Sequence, residues 1–185
     1  MKMFASRRLQ KELQKPSHQA LALSLHLDTY LSLSPSSSSS RSHTPQMHTH
    51  LPPGITLVQA DNLETWLMDI RVLDDNPIYR NQTYRLKFVF SGSYPIEAPE
   101  VTFVKTESHP IPMHPHIYSN GIICLDLLDR QGWSPVHNVE SVCMSLQSML
   151  TGNTKNERPE GDEAFVRNNR LRPRDVSFYF HDNTV

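Results

Sequence analysis

The clearest pattern in the chain is an alternation of apolar and polar positions between residues 66 and 90. Trp66, Met68, Ile70 and Val72 alternate with Leu67, Asp69 and Arg71, and Tyr84, Leu86, Phe88 and Phe90 enclose Arg85 and Lys87. A period of two puts each apolar set on one face of a strand. Asp74-Asp75-Asn76-Pro77 supplies the turn between them. Residues 55–59 predict a short strand before this pair, and Val101, Phe103 and Lys105 start a fourth after it, which makes an antiparallel meander. Helical spacing flanks the sheet. In residues 4–15, Phe4, Leu9 and Leu13 share a face, Arg7, Arg8, Lys11 and Lys15 form a basic remainder, and Pro16 is a stop. Later, Asn138 is a good N-cap for a helix whose Val139, Val142, Cys143, Leu146, Met149 and Leu150 recur at intervals of three and four, and Gly152 ends it. Residues 162–169 form a second, weaker helix. Helices beside an antiparallel sheet define an α+β domain.

One stretch fits neither period. Between Ser17 and His50 the chain turns to Leu/Ser alternation, five consecutive serines at Ser36 to Ser40, and scattered histidines. The expected organisation is therefore an N-terminal helix (3–15), a Ser/Leu-rich disordered insertion (16–50), a core (51–170) and a flexible aromatic C-terminal region (171–185) containing Phe178-Tyr179-Phe180-His181. Composition agrees: hydrophobic residues make up only 37%, and 14 prolines outnumber 6 glycines, against roughly 45–50% apolar, glycine included, in compact domains. With 185 residues, one domain with something left over is expected. A net charge of -1 provides no basic field for nucleic acid or an anionic membrane, and no apolar run approaches the roughly 18 residues of a membrane span. Two cysteines cannot build a disulfide framework, and residues 21–33, broken by His26 and Asp28, start too far in for a secretion signal. A reducing compartment is expected.

Candidate chemistry concentrates in His109 to Leu128, HPIPMHPHIYSNGIICLDLL, where prolines, histidines and a cysteine interrupt the passage from sheet to helix. Cys143 lies on the apolar stripe of a helix and reads as a core thiol. Cys124 follows Ser119-Asn120-Gly121, a turn signal that keeps a thiol reachable. Three readings compete for it: a buried core thiol, a zinc ligand with His109, His114, His116 or His137, and a nucleophile forming a thioester. Paired metal motifs such as C-x₂-C are absent, and a stiff proline separates His114 from His116. Residue types alone stop at a candidate reactive cysteine.

The ordered motifs carry further. His114-Pro115-His116, the Ser119-Asn120-Gly121 turn and Cys124 after a fixed gap resemble the active-site stretch of ubiquitin-conjugating enzymes, with His116 where the family has asparagine. Tyr94-Pro95-Ile96-Glu97-Ala98-Pro99 and Trp133-Ser134-Pro135 are similar to two further family loops. The likeness covers residues 3–15 and about 51–185. His116, Tyr118, Pro52-Pro53-Gly54 and the ending Phe178 to Asp182 resemble the W-type branch, associated with attaching ubiquitin to α-amino groups through a C-terminal region that engages disordered substrate N-termini.

The resemblance implies the family fold and a set of roles. Cys124 would accept ubiquitin as a thioester from the activating enzyme. His116 would support the oxyanion or the loop, Asn120 would form the active-site turn, and His114 would be structural, with Pro115 fixing the turn. Arg8, Lys11, Ile96 and Pro135 would contact the activating enzyme and RING or U-box ligases. Glu157 and Asp162, with Glu163 beside them, are weak candidates for assisting the attacking amine. The resemblance implies no metal and no bound cofactor, since ATP is consumed by the activating enzyme. Expected partners are ubiquitin, the activating enzyme, ligases and substrates with flexible N-termini, in cytoplasm and nucleus, with a single ubiquitin as product. The alternatives are a non-catalytic ubiquitin-binding module on the same fold and a conjugating enzyme for another ubiquitin-like modifier.

Overall fold

A computed structural model describes residues 2–14 and 51–176. Helix α1 (Lys2–Gln14) precedes four strands, β1 (Ile55–Gln59), β2 (Thr65–Ile70), β3 (Tyr84–Val89) and β4 (Glu100–Val104), which are followed by helices α2 (Val139–Thr151) and α3 (Asp162–Asn168). Short 3₁₀ turns occupy Asp126–Leu128 and Pro173–Asp175. The strands lie in the order β1-β2-β3-β4, each antiparallel to the next. The α+β meander expected from the alternation is present.

Register explains the core. Trp66 faces Phe88, which faces Val101, and Met68 faces Leu86, which faces Phe103. All six are buried, so the apolar rows form one continuous wall. Against it lie Val142, Cys143, Leu146 and Leu150 of α2, all fully buried in the same cluster. The helix starts where expected. The Asn138 side chain accepts the Ser141 N–H at 2.8 Å, and the Ser141 hydroxyl accepts the Asn138 N–H at 3.0 Å, a reciprocal cap.

Several boundaries differ from expectation. β2 ends at Ile70, leaving Val72 half-buried beyond it, and β4 ends at Val104, leaving Lys105 exposed. On α1 the buried residues are Ala5 and Leu9, with Leu13 partly covered, while Phe4 is 75% exposed. The reason is angular: at about 100° per residue, positions 5, 9 and 13 fall within one narrow stripe and position 4 does not. At the other end, 171–176 is seated on the sheet. Arg174 bonds Glu97 at 3.0 Å and lies 3.5 Å from Glu100, Arg172 bonds Asp175 at 2.7 Å, and Val176 is buried. The insertion expected at 16–50 and the aromatic residues after Val176 lie outside the described residues.

Candidate active site

Cys124 ends a backbone-locked hairpin. Ile117 bridges to both His114 and Ile123, and Ile122 bridges to Thr102 of β4. Between these lies the turn: the Gly121 N–H bonds the Tyr118 carbonyl at 2.8 Å, the Tyr118 N–H bonds the Ile122 carbonyl at 2.9 Å, and the Asn120 side chain accepts the Ile122 N–H at 3.1 Å. Gly121 is required twice over. Its φ of +88° lies in the left-handed region, and a Cβ there would sit 2.0 Å from the Phe103 carbonyl oxygen. The hairpin can therefore dock on β4, where the Phe103 N–H bonds the Gly121 carbonyl at 2.9 Å.

The two histidines serve different purposes. His114 is buried, and its Nδ1 accepts the His116 N–H at 2.9 Å, which leaves Nε2 to carry the proton. Burial, then the neighbouring His116, pulls its pKa down to about 4, against a hydrogen bond to the Met149 backbone that works the other way. The ring is thus a neutral strut between the His116 backbone and the end of α2. His116 bonds Cys124 through its backbone: its carbonyl accepts the Cys124 N–H at 2.8 Å. Its ring is exposed, with its centre 5.4 Å from that of His114.

Cys124 is half-buried, whereas Cys143 is fully buried and desolvation pushes its thiol far up. That leaves Cys124 as the reactive candidate. Tyr118 responds to it: burial first, then negative charge on Cys124 and on Asp162, raises the Tyr118 hydroxyl above its ordinary value. Asp162 accepts the Ser119 N–H at 2.7 Å, and Phe165 stacks on Tyr118 with ring centres 3.9 Å apart. Glu157 is elsewhere, exposed and 3.7 Å from Lys155. Glu163 is exposed on α3.

The zinc alternative has no ligand set here. His109 bonds Thr106 at 2.8 Å and lies 3.4 Å from Asp69 of β2, and His137 stands beside Trp133. Among the described residues no group of three or more His, Cys, Asp or Glu is arranged to hold a metal ion.

Comparison with known proteins identifies the family. The family model described as "Ubiquitin-conjugating enzyme" matches residues 39–174. The chain belongs to the ubiquitin-conjugating enzymes. It is 42% identical over 140 residues to "Probable ubiquitin-conjugating enzyme E2 W" of Dictyostelium discoideum, covering 75% of this chain and 90% of that one. It is 35% identical over 143 residues to "Ubiquitin-conjugating enzyme E2 W" of Caenorhabditis elegans, covering 76% and 91%. Among solved structures, the ubiquitin-conjugating enzyme UbcA1 of Agrocybe aegerita matches with 43% identity and a TM-score of 0.64, over 68% of this chain and 87% of that one. Within the family the enzyme stands with the W-type members. It is a transferase that works through a thioester, and membership implies ubiquitin, an activating enzyme and ligases as partners.

The expected docking residues of the enzyme lie on α1 and on the loops around residues 96 and 135. Ile96 is 75% exposed, Pro135 and Lys11 are exposed, and Val136 beside Pro135 is 77% exposed. The Trp133 indole N–H donates to the Pro95 carbonyl at 2.8 Å, joining the two loops that carry Ile96 and Pro135. Arg8 is less free: Nε donates to Glu12 at 2.7 Å and Nη2 to the His137 carbonyl at 3.0 Å. Sequence reasoning missed Glu12, whose carboxylate also accepts the Tyr94 hydroxyl and the Val139 N–H. It also missed Asn153, buried and bonded to the Tyr79 hydroxyl and to Lys155, and Arg158. An acid four residues after Arg8 was a visible cue for Glu12. For Asn153 and Arg158 the contacts that fix them across the fold are distant in sequence: Tyr79 is 74 positions from Asn153, and the carbonyls that Arg158 holds are 41 to 47 positions away.

Proposed function

We propose that the enzyme carries ubiquitin on Cys124 and transfers a single ubiquitin to the α-amino group of protein substrates. The observation that supports the acceptor residue is the half-exposed Cys124 thiol at the end of a hairpin whose backbone is hydrogen-bonded on both sides. In the first step the Cys124 sulfur attacks the thioester carbonyl on the activating enzyme, a new C–S bond forms, and the activating enzyme's thiolate leaves. In the second, an amine nitrogen attacks the Cys124 thioester, an amide bond forms, the nitrogen loses a proton and the Cys124 thiolate departs. Thiolate is both a strong nucleophile and a good leaving group, so one sulfur suits both steps. No bound cofactor is needed for either.

Amine chemistry supports the α-amino acceptor. An α-amine with a pKa of about 7.7–8.0 is neutral at pH 7 several hundred times more often than a lysine near 10.4. Such an acceptor needs little help in losing its proton. That suits a site where Glu157 is paired with Lys155 and Asp162 already accepts a backbone N–H. The exposed Ile96 and Pro135, on loops tied by Trp133, suit an apolar ligase contact, with Lys11 and Arg8 of α1 nearby in the same role. Cys124 and Cys143 are not joined in a disulfide, which suits the reducing cytoplasm and nucleus.

The test is a charging reaction with activating enzyme, ubiquitin and ATP, followed on non-reducing gels for wild type and Cys124→Ala. Free and N-terminally acetylated peptides, each containing a lysine, serve as acceptors. The expected result is a thiol-sensitive adduct, lost in Cys124→Ala, that discharges to the free N-terminus and not to the acetylated peptide. Discharge to both peptides would remove the α-amino preference, and no adduct in wild type would favour a ubiquitin-binding module.

A further inference from the structure

Arg158 lies between α2 and α3, and its guanidinium turns back onto the active-site segment. Nη1 donates to the Pro112 carbonyl at 2.6 Å and the Ile117 carbonyl at 3.0 Å, and Nη2 donates to the Ile111 carbonyl at 3.0 Å. These carbonyls flank His114-Pro115-His116 on both sides. Neither Ile111 nor Pro112 belongs to a strand, so the fork takes the place of a neighbouring strand. The side chain is half-buried, and desolvation lowers its pKa despite nearby Asp162. A guanidinium stays charged regardless, and its planar fork fixes the relative positions of the acceptors it joins.

The same short run grips the hairpin at consecutive positions. Arg158 holds the carbonyl of Ile117, Phe165 stacks on the ring of Tyr118, and Asp162 accepts the N–H of Ser119. Gly161, at φ +72° with open space around it, lets the chain reverse between Arg158 and Asp162 so that both face the hairpin. From Ile117 the path to the nucleophile is short: the preceding residue is His116, whose carbonyl accepts the Cys124 N–H.

We propose that Arg158 is a positioning residue for thioester transfer: by joining the Ile111, Pro112 and Ile117 carbonyls it sets the spacing of the His114–His116 loop and so the placement of Cys124. The inference rests on Cys124 as the acceptor. Attack on the thioester depends on this placement more than thioester formation does, because a free amine brings no surface of its own to hold the loop. Misplacement of reacting groups by about 1 Å costs up to roughly 100-fold in rate.

The experiment uses the full chain as wild type, Arg158→Lys and Arg158→Met, each charged with ubiquitin, freed of activating enzyme and mixed with a free-amine peptide. Single-turnover discharge is read well below each variant's melting temperature, beside hydrogen exchange at the Cys124 amide. Arg158→Met is expected to charge, to discharge on the order of 10-fold to 100-fold more slowly, and to exchange the Cys124 amide faster. Arg158→Lys, with one ammonium in place of a fork, is expected to fall between. If Arg158→Met does not fold, slowed discharge and faster exchange in folded Arg158→Lys carry the proposal. A lower melting temperature with discharge within twofold of wild type would overturn it and leave Arg158 as a stabilising residue only. Failure of wild type to charge on Cys124 would remove the underlying reading, and this inference with it.

Discussion

His114 is a neutral imidazole clamped between the His116 N–H and the end of α2, and that role has a signature in pH. Its pKa is about 4 in the folded enzyme against about 6.5 in an unfolded chain. Between these values the unfolded chain binds the extra proton, so stability falls as pH drops from 6.5 toward 4 and is fully present above 6.5. The slope from this one group is at most about 1.4 kcal/mol per pH unit. Urea unfolding of wild type and His114→Gln from pH 4.5 to 7 is expected to show a shallower decline in the variant. Parallel curves would mean that His114 is not held neutral. At this scale the sequence was informative where chemistry is local: His114, His116, Asn120 and Cys124 sit within eleven positions, and the turn between them follows from Asn120-Gly121. Arg158 was illegible because its three acceptors are main-chain carbonyls, which every residue has.

Elements meet at Glu12. Its carboxylate, with the side chain only 10% exposed, takes Arg8 of α1, the Tyr94 hydroxyl of the Ile96 loop, and the Val139 N–H that opens α2. The last contact satisfies a first-turn amide and places negative charge at the helix N-terminus, where it is favoured. Glu12→Ala would take a hydrogen bond from each of the three partners, at an expected cost of roughly 2–4 kcal/mol. Denaturant unfolding checks this, and a loss below about 0.5 kcal/mol would show that water replaces the carboxylate. Element identity was largely readable because alternation and helical spacing are backbone periodicities, and Tyr84, Leu86, Phe88 and Phe90 are all buried as the pattern required. The face of α1 differs from the spacing reading: the covered stripe runs through Ala5, Leu9 and Leu13, and Phe4 lies outside it. The seating of 171–176 on β4 was hidden because ion pairs to Glu97 and Glu100 leave no apolar period to read.

Across the whole molecule the proposed docking residues and the proposed acceptor lie on different elements: Ile96 and Pro135 are on loops joined by Trp133 and linked through Tyr94 to α1, while Cys124 lies on the hairpin docked against β4. Residues 15–50 join α1 to the rest in sequence, and described residues on either side of them lie close together. Leu13 and Leu51 line the same cleft, together with Trp66, Met68 and Val139. Ends this close can be joined directly, so deleting residues 17–48, which leaves Lys15-Pro16-Thr49-His50 as the connector, is expected to preserve the fold. Shortening the connection from 36 residues to 4 lowers the closure entropy and is worth about 2 kcal/mol if the short connector fits without strain. Cys124 and its supports lie on other elements, so charging by the activating enzyme is expected to be unchanged or faster in the deletion variant. Paired denaturant unfolding and charging rates test both parts. A folded variant that no longer charges would assign residues 17–48 a part in meeting the activating enzyme, and a destabilised one would mean that the two ends need more than four residues to meet.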